Sequence, residues 1–83
     1  MWDERYSLLQ RQLRELRLEA GLTQAEVAAL LKRPQSYVSK YESGERRLDI
    51  VEINDICKCL HTSLAVFVER LDRLWKGFDR DRS

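Results

Sequence analysis

The chain has 83 residues, a formal net charge of +1, 43% hydrophobic residues and 35% charged residues. These proportions are typical of a folded, helix-rich domain and argue against a disordered chain. Because the sequence contains no run of about 18 apolar residues and no signal-peptide stretch, we expect neither a membrane protein nor a secreted one, and we predict a cytoplasmic location. A single core of this size gives limited stability, so dimerisation is expected from length alone.

The first two predicted helices are separated by a glycine and a capping motif. From about Tyr6 to Ala20, apolar residues recur at spacings of three and four, which predicts an amphipathic helix with the stripe Leu9, Leu13, Leu16 and Ala20. Gly21 suits the position just after the end of that helix. Thr23 and Glu26 form the Thr-x-x-Glu pattern of a capping box, so a second helix is predicted from Gln24 to about Leu31.

The third predicted helix follows the second almost immediately. Pro34 suits the first position of a helix, and Gly44 suits its end, so we predict a helix from Pro34 to Ser43. Only Lys32 and Arg33 then remain as the connection. Two helices joined by so short a turn must meet at a steep angle, which indicates a helix-turn-helix unit.

Two further helices complete the predicted fold. Asp49 suits the cap of a fourth helix, with the apolar stripe Ile53, Ile56, Cys57 and Leu60. Ser63 suits the cap of a fifth helix, which carries Leu64, Phe67, Val68, Leu71, Leu74 and Trp75. No segment has the pattern of a strand, so the predicted fold is an all-α, compact five-helix domain. Residues 1–76 would form this domain and residues 77–83 a frayed tail.

The third predicted helix has a polar outer face. Val38 and Tyr41 lie three residues apart and are expected to face the core, which turns the polar residues outward: Gln35, Ser36, Tyr37, Ser39 and Lys40. Gln can form paired hydrogen bonds with adenine, Lys can donate to guanine, and Ser can bond either, in a DNA major groove that admits a helix. These five residues are the predicted base contacts. The alternative is that they form only the solvated side of an amphipathic helix.

Basic residues concentrate around this helix. The segment from Lys32 to Arg47 holds five of the fifteen basic residues and two acidic ones, a net +3 in a chain of net charge +1. Phosphate contacts do not depend on base sequence and need cations or helix N-termini at the edges of the groove. The predicted phosphate contacts are Thr23, Gln24, Lys32, Arg33, Arg46 and Arg47.

Two stretches, LRELRLEAGLTQAEVAALL and SYVSKYESGERRLD, resemble the phage-repressor and Cro-type helix-turn-helix family, also called the xenobiotic-response-element family. The resemblance covers roughly Leu9 to Phe67. It implies a lambda-repressor-like fold and a transcription regulator that binds double-stranded DNA. It also implies that Gln24 contacts phosphate, that Gln35, Ser36 and Lys40 contact base edges, and that an ion pair between Arg17 and Glu42 ties the first helix to the third.

The chain departs from this family at two positions where glycine is usual. Lys32 stands in the turn after the second helix, and His61 stands after the fourth. If the backbone is left-handed at Lys32, the substitution costs on the order of 1 kcal/mol of strain. The charge of Lys32 could offset this cost by contacting phosphate. Histidine is enriched in left-handed positions relative to most other residues, so neither departure threatens the fold.

The fifth predicted helix carries more apolar residues than a small core needs. We therefore predict a homodimer whose interface includes Phe67, Leu71, Leu74 and Trp75, with Trp2 and Tyr6 nearby. Such a dimer would bind a short inverted repeat, with its recognition helices about 34 Å apart. We predict that it regulates transcription, with repression as the favoured role. The sequence leaves two alternatives open. Trp75 could fold back on the core, or the helix could bind another protein, as in a protein-binding module of antitoxin or anti-repressor type. The possible protein partner is a toxin or an anti-repressor.

Neither a metal site nor an enzyme is expected. Cys57, Cys59 and His61 lie close in sequence, but a closed zinc site needs four ligands, and one of the two cysteines points elsewhere on the helix. Cys57 is instead predicted to be a small core residue and Cys59 to be half-exposed. The single histidine and the lack of a glycine-rich phosphate loop give no support for catalysis, and no cofactor is predicted.

Overall fold

The computed structural model describes residues 3–82 and contains five helices in chain order. They are α1 (Glu4–Glu19), α2 (Gln24–Leu31), α3 (Gln35–Ser43), α4 (Ile50–Cys59) and α5 (Leu64–Arg82). Within the described residues there is no strand, so the predicted all-α, five-helix class is confirmed. The same part of the chain has no helix that is both long and apolar enough to span a membrane.

Side-chain caps fix where most of these helices begin. The predicted capping box of α2 is present: the backbone N–H of Glu26 donates to Thr23 Oγ1 at 3.1 Å, and that of Thr23 donates to Glu26 Oε1 at 2.9 Å. Asp49 caps α4 as predicted and also forms a full capping box, with Glu52. Ser63 Oγ accepts the backbone N–H of Val66 at 3.1 Å at the start of α5.

Two predicted helix boundaries are wrong. Pro34 is the residue that precedes α3 rather than its first helical residue, because its φ of −62° is helical but its ψ of 153° is extended. The turn therefore has three residues, Lys32 to Pro34, instead of two. At the other end of the chain, the predicted frayed tail after Trp75 is helical through Arg82. Ser83, the last residue of that tail, lies outside the described residues.

Local contacts explain why α5 continues beyond Trp75. Lys76 pairs with Asp72 at 3.0 Å, one helical turn earlier, and such pairs stabilise an exposed helix. Phe78 is half-buried, so the last turns of α5 still cover apolar surface. The pair at Lys76 and the partial burial of Phe78 therefore favour a helix where a frayed tail was predicted.

All five helices contribute to one core. Its buried apolar residues are Leu13, Leu16, Val27, Ala28, Val38, Tyr41, Ile53, Ile56, Cys57, Leu60, Phe67 and Leu71. Helix α3 packs against α1 and α2, while α5 packs against α1 and α4. The core therefore holds α3 by its inner side and leaves its outer side to the solvent.

The two positions where the chain lacks the glycine of the family that it resembles are left-handed. Lys32, which follows α2, has a φ of 57°, and His61, which follows α4, has a φ of 59°. Non-glycine residues adopt this conformation at a cost. The left-handed backbone that would strain Lys32 is therefore present, and His61 adopts the conformation in which histidine is enriched.

Candidate nucleic-acid interface

The outer face of α3 is a polar ridge. Val38 and Tyr41 are 0% and 1% exposed, and they fix the helix in the core. The opposite face presents four exposed polar residues, which we call the recognition ridge: Gln35, Ser36, Ser39 and Lys40. Their predicted orientation is confirmed. Because neighbouring residues of the ridge are three or four apart, their hydrogen-bonding groups lie along one side of the helix.

Tyr37 was predicted to share this face, but it is half-buried. Its hydroxyl donates to Glu52 Oε2 at 3.1 Å, and its ring meets that of Tyr41 edge-on, with the centroids 5.6 Å apart. Burial, followed by the hydrogen bond to Glu52, raises the pKa of Tyr37. The hydroxyl therefore stays protonated and is already engaged within the protein.

Basic side chains border α3 at both ends. Lys32 and Arg33 precede the helix and are exposed, while Arg46 and Arg47 follow it. We call these four residues the basic rim. The guanidinium carbons of Arg33 and Arg46 lie 4.9 Å and 4.7 Å from the centre of the Tyr37 ring.

Two residues of the basic rim have further contacts within the protein. Arg46 pairs with Glu52 at 2.9 Å, and its guanidinium also donates to the backbone carbonyl of Arg47 at 3.3 Å. The guanidinium of Arg47 lies 4.5 Å from the centre of the Tyr6 ring. These contacts restrict the directions in which the two arginines point. An anion beside them would therefore meet guanidinium groups in fixed positions.

The starts of α2 and α3 offer backbone donors beside the ridge. The first N–H groups of a helix have no acceptor within it, and they carry the positive end of the helix dipole. In α2 the side chain of Thr23 satisfies one of them, that of Glu26, so the hydroxyl of Thr23 is occupied by its cap. In α3 the preceding Pro34 provides no side-chain cap, and the N–H of Tyr37 donates to the Pro34 carbonyl at 3.0 Å. The N–H groups of Gln35 and Ser36 are therefore the donors of this helix start that could face an anion.

Gln24, a predicted phosphate contact, forms a side-chain hydrogen bond within the protein. Its side-chain amide donates to Glu42 Oε1 at 3.0 Å, and the residue is half-buried. The side chain thus links the start of α2 to the last turn of α3. Its second amide hydrogen and the neighbouring backbone remain the groups with which Gln24 could reach an anion.

The ion pair expected between Arg17 and Glu42 is present and buried. Arg17 Nε and Nη2 donate to the two carboxylate oxygens of Glu42 at 2.7 Å and 3.0 Å, and the side chains are 9% and 4% exposed. A third donor, Nη1 of Arg17, meets the backbone carbonyl of Leu22 at 2.9 Å. The hydrogen bond to Glu42 raises the pKa of Arg17, so the guanidinium stays charged. The pair joins α1 to α3.

Three of the four predicted dimer residues, Phe67, Leu71 and Trp75, line an apolar groove between α1, α4 and α5, whereas Leu74 does not. Phe67 and Leu71 are 2% and 4% exposed and belong to the core, while Leu74 and Trp75 are half-buried. The groove has a volume of about 740 Å³ and is lined by Leu9, Ile50, Ile53, Leu64, Ala65, Phe67, Val68, Glu69, Leu71, Asp72 and Trp75. Ile50 and Val68 extend it onto the surface, because they are 60% and 47% exposed.

Aromatic residues that were expected at the dimer seam have contacts within the protein. Trp75 Nε1 donates to the backbone carbonyl of Arg5 at 3.0 Å, which is the folded-back position left open by the sequence. The hydroxyl of Tyr6 accepts the backbone N–H of Leu48 at 3.1 Å. Trp2 lies outside the described residues.

The two cysteines lie where the sequence predicted. Cys57 is buried and Cys59 is half-exposed. Burial raises the pKa of the Cys57 thiol to about 11, so it remains protonated. Among the residues that the structure describes, no group of three or more His, Cys, Asp or Glu side chains is arranged to hold a metal ion.

Glu52 was missed in the sequence analysis, although it holds two residues of the predicted interface. The local part of its role had a visible signal, because Asp49 and Glu52 repeat the spacing of the capping box at Thr23 and Glu26. Its contacts with Tyr37 and Arg46 had none. They join residues that are distant in sequence and depend on how α4 packs beside α3.

Comparisons with known proteins agree with this geometry. A family model described as a helix-turn-helix domain matches residues 8–71. The chain is 45% identical to an XRE-family like protein from Pseudomonas syringae pv. tomato str. DC3000, with a TM-score of 0.80 and coverage of 86% of this chain and 87% of that one. It is 30% identical to the restriction-modification controller protein C.Esp1396I, with a TM-score of 0.79 and coverage of 87% and 94%.

The same controller protein has also been solved as a tetramer in complex with its natural 35 base-pair operator. That structure matches at 30% identity, with a TM-score of 0.79 and coverage of 87% of this chain and 95% of that one. None of the curated proteins compared with the chain matches it. With its exposed recognition ridge, its basic rim and these similarities, the chain belongs to the XRE-type helix-turn-helix family of DNA-binding transcription regulators.

Proposed function

We propose that this protein binds a short inverted repeat in double-stranded DNA as a homodimer and represses transcription from an overlapping promoter. The exposed recognition ridge on α3 is the observation that carries this proposal. In the proposed complex, Gln35, Ser36, Ser39 and Lys40 reach base edges in the major groove. Tyr37 joins them through the part of its ring that remains exposed.

In the same proposal, phosphate contacts come from the basic rim and from the helix starts. Lys32, Arg33, Arg46 and Arg47 flank the ridge, and the starts of α2 and α3, with Thr23 and Gln24, supply backbone donors. These contacts would fix the register of α3 on the duplex without reading sequence. The protein would act in the cytoplasm on chromosomal DNA.

The proposed dimer interface is the groove between α1, α4 and α5. Phe67, Leu71 and Trp75 form part of its floor, and exposed Ile50 and Val68 lie at its rim, so a second copy would cover apolar surface that the monomer leaves in water. The controller protein similar to this chain is a tetramer on its operator. A twofold dimer would place two copies of α3 about 34 Å apart, one helical turn of DNA.

Selection of bound fragments from random DNA at two salt concentrations tests the central claim. We expect a palindromic consensus and an affinity that falls steeply with salt, because each phosphate contact releases counterions. Lys40→Ala should weaken binding by roughly 1–3 kcal/mol in a manner that depends on the base beneath it. Lys32→Gln should instead weaken binding to all sequences about equally. Binding without sequence preference would contradict the proposal.

Two valines on α5 provide a matched test of the dimer. Val68 and Val66 are similarly exposed, at 47% and 44%, but only Val68 lines the groove. Val68→Glu should convert the dimer to monomer in sedimentation velocity and weaken operator binding, because a charge would be buried at the interface. Val66→Glu should change neither. Equal behaviour of the two variants would place the interface elsewhere.

The groove also supports a second candidate function. Its apolar lining and open rim suit an amphipathic helix of another protein, as in an antitoxin that binds a toxin or an anti-repressor that binds a repressor. In that case the chain would remain monomeric alone and form a heteromer that survives high salt. It would also fail to discriminate between DNA sequences in the selection experiment.

A further inference from the structure

The carboxylate of Glu52 does more than cap its own helix. Its Oε1 accepts the backbone N–H of Asp49 at 3.0 Å, which completes the capping box of α4. Its Oε2 accepts the hydroxyl of Tyr37 at 3.1 Å and pairs with Arg46 Nη2 at 2.9 Å. The second oxygen therefore connects α4 to α3 and to the loop that follows α3.

Tyr37 extends this connection to both ends of α3. Arg33 precedes α3 and Arg46 follows it, yet both guanidinium carbons lie within 4.9 Å of the centre of the same ring. At this distance a cation is attracted to the face of an aromatic ring. Whatever fixes the Tyr37 ring therefore also restricts a cation on each flank of the recognition ridge.

The charge of Glu52 makes this arrangement favourable. Two guanidinium groups beside one ring repel each other, and the carboxylate of Glu52, which pairs with Arg46, offsets part of that repulsion. Hydrogen bonds from Arg46 and from the backbone of Asp49 lower the pKa of Glu52 to about 2, so it is ionised at neutral pH. Its side chain is only 18% exposed, which limits screening by salt.

We propose that Glu52 is a positioning residue for DNA recognition, which acts through Tyr37 and Arg46 and makes no contact with DNA itself. This inference rests on the proposed function. By holding the Tyr37 hydroxyl and the Arg46 guanidinium, Glu52 sets where the first turn of α3 and the basic rim stand relative to the two DNA strands. Its loss should reduce discrimination between sequences more than general affinity. General affinity should be kept because the substitution also removes a negative charge near the phosphates of the proposed complex.

The test uses Glu52→Gln, because glutamine also suits this position of a capping box. Dissociation constants are measured at one salt concentration for the operator selected with the wild type and for a scrambled duplex of equal length. We expect the ratio of the two constants to fall about tenfold, the scale of one lost hydrogen bond to a charged group. The affinity for the scrambled duplex should be unchanged or higher. A ratio within twofold of the wild type would overturn the inference.

Glu15→Gln is the matched charge control. Glu15 lies on an exposed part of α1, where it pairs with Arg11 at 3.6 Å, and its substitution changes the net charge by the same amount. The discrimination ratio of this variant should equal that of the wild type. If Glu15→Gln lowers the ratio as much as Glu52→Gln does, the effect is one of charge and not of position.

Tyr37→Phe tests whether Glu52 acts through its neighbours. This substitution removes only the hydroxyl, and we expect it to lower the ratio at least about threefold, since one hydrogen bond is lost. Because the two residues share that bond, the double variant should lose no more discrimination than Glu52→Gln alone. Additive losses contradict the mechanism. If circular dichroism shows that Glu52→Gln is unfolded, Tyr37→Phe alone decides: an unchanged ratio overturns the inference.

The outcomes separate this inference from the proposed function. If the wild type binds no DNA sequence selectively, the proposed function fails. If the wild type is selective and Glu52→Gln is equally selective, only the positioning role fails. Equal losses of affinity for both duplexes, together with a lower melting temperature, would assign Glu52 to the fold alone and would also overturn the inference.

Discussion

Replacement of Glu42 by alanine should be among the most destabilising substitutions in the chain. The carboxylate accepts two hydrogen bonds from Arg17 and one from Gln24, and its side chain is only 4% exposed. Without it, the buried guanidinium of Arg17 keeps the carbonyl of Leu22 as its partner. Removal of one member of a buried pair costs about 3–5 kcal/mol, because the other charge is left without compensation.

This loss is large for a domain of this size. At about 0.05–0.15 kcal/mol per residue, the free energy of unfolding of the whole chain is on the order of 4–12 kcal/mol. We therefore expect Glu42→Ala to lower the melting temperature by at least about 12 °C. Urea denaturation followed by far-UV circular dichroism, at a fixed protein concentration, measures the loss directly.

The chain contains an exposed pair of similar geometry, which provides the control. Arg70 donates to both carboxylate oxygens of Glu19 at 3.0 Å and 2.6 Å, but the Glu19 side chain is 56% exposed. Glu19→Ala should leave the unfolding midpoint close to that of the wild type, because exposed pairs contribute little. A loss of less than about 1 kcal/mol for Glu42→Ala, the ordinary limit for a surface pair, would contradict the predicted effect of burial.

Three other predictions concern backbone strain, acid stability and thiol reactivity. Lys32→Gly and His61→Gly should each raise the free energy of unfolding by up to about 1 kcal/mol in urea titrations, since both residues are left-handed, and only Lys32→Gly should also weaken DNA binding. The pKa of Glu52, about 2, lies below the ordinary value near 4.3. The ionised carboxylate therefore stabilises the fold fully above about pH 5, and this contribution is lost as the pH falls towards 2. Glu52→Gln should flatten the acid limb of a curve of unfolding free energy against pH. Iodoacetamide should modify Cys59 but not Cys57 in the native protein, as checked by mass spectrometry, because burial shields the Cys57 thiol and raises its pKa to about 11.

The sequence predicted best what depends on neighbouring residues. The start and end of α2 follow from the cap at Thr23 and from the short turn, and the direction of the recognition ridge follows from the spacing of Val38 and Tyr41. The strained residues could be identified because they replace glycines of a known pattern. Prediction was weaker where two local rules gave similar answers. Pro34 suits both the first helical position and the position before it, and only its ψ angle distinguishes them.

The sequence predicted less well what depends on long-range packing. The helical spacing of Phe67 and Leu71 fits either a dimer interface or the core of the monomer. In the structure both residues are buried in the core. Trp75 was predicted at the dimer interface, with folding back on the core as the alternative, and its bond to the Arg5 carbonyl corresponds to the alternative. Tyr37 lies on the outer side of α3 by periodicity, but Glu52 on α4 draws it inward. Each of these contacts joins residues on different helices, so no local pattern encodes it.

The two carboxylates that packing places beside α3 share one physical task. Glu42, in the last turn of the helix, is held from α1 and α2 through Arg17 and Gln24, while Glu52 holds Tyr37 in the first turn from α4. Apolar contacts are not directional, so a core alone would let a short helix rotate slightly about its axis. Hydrogen bonds are directional, and paired bonds to a base edge tolerate only small errors in distance and angle. In the proposed complex, charged anchors at both ends of α3 would therefore supply the precision that base recognition needs and that a small core does not provide.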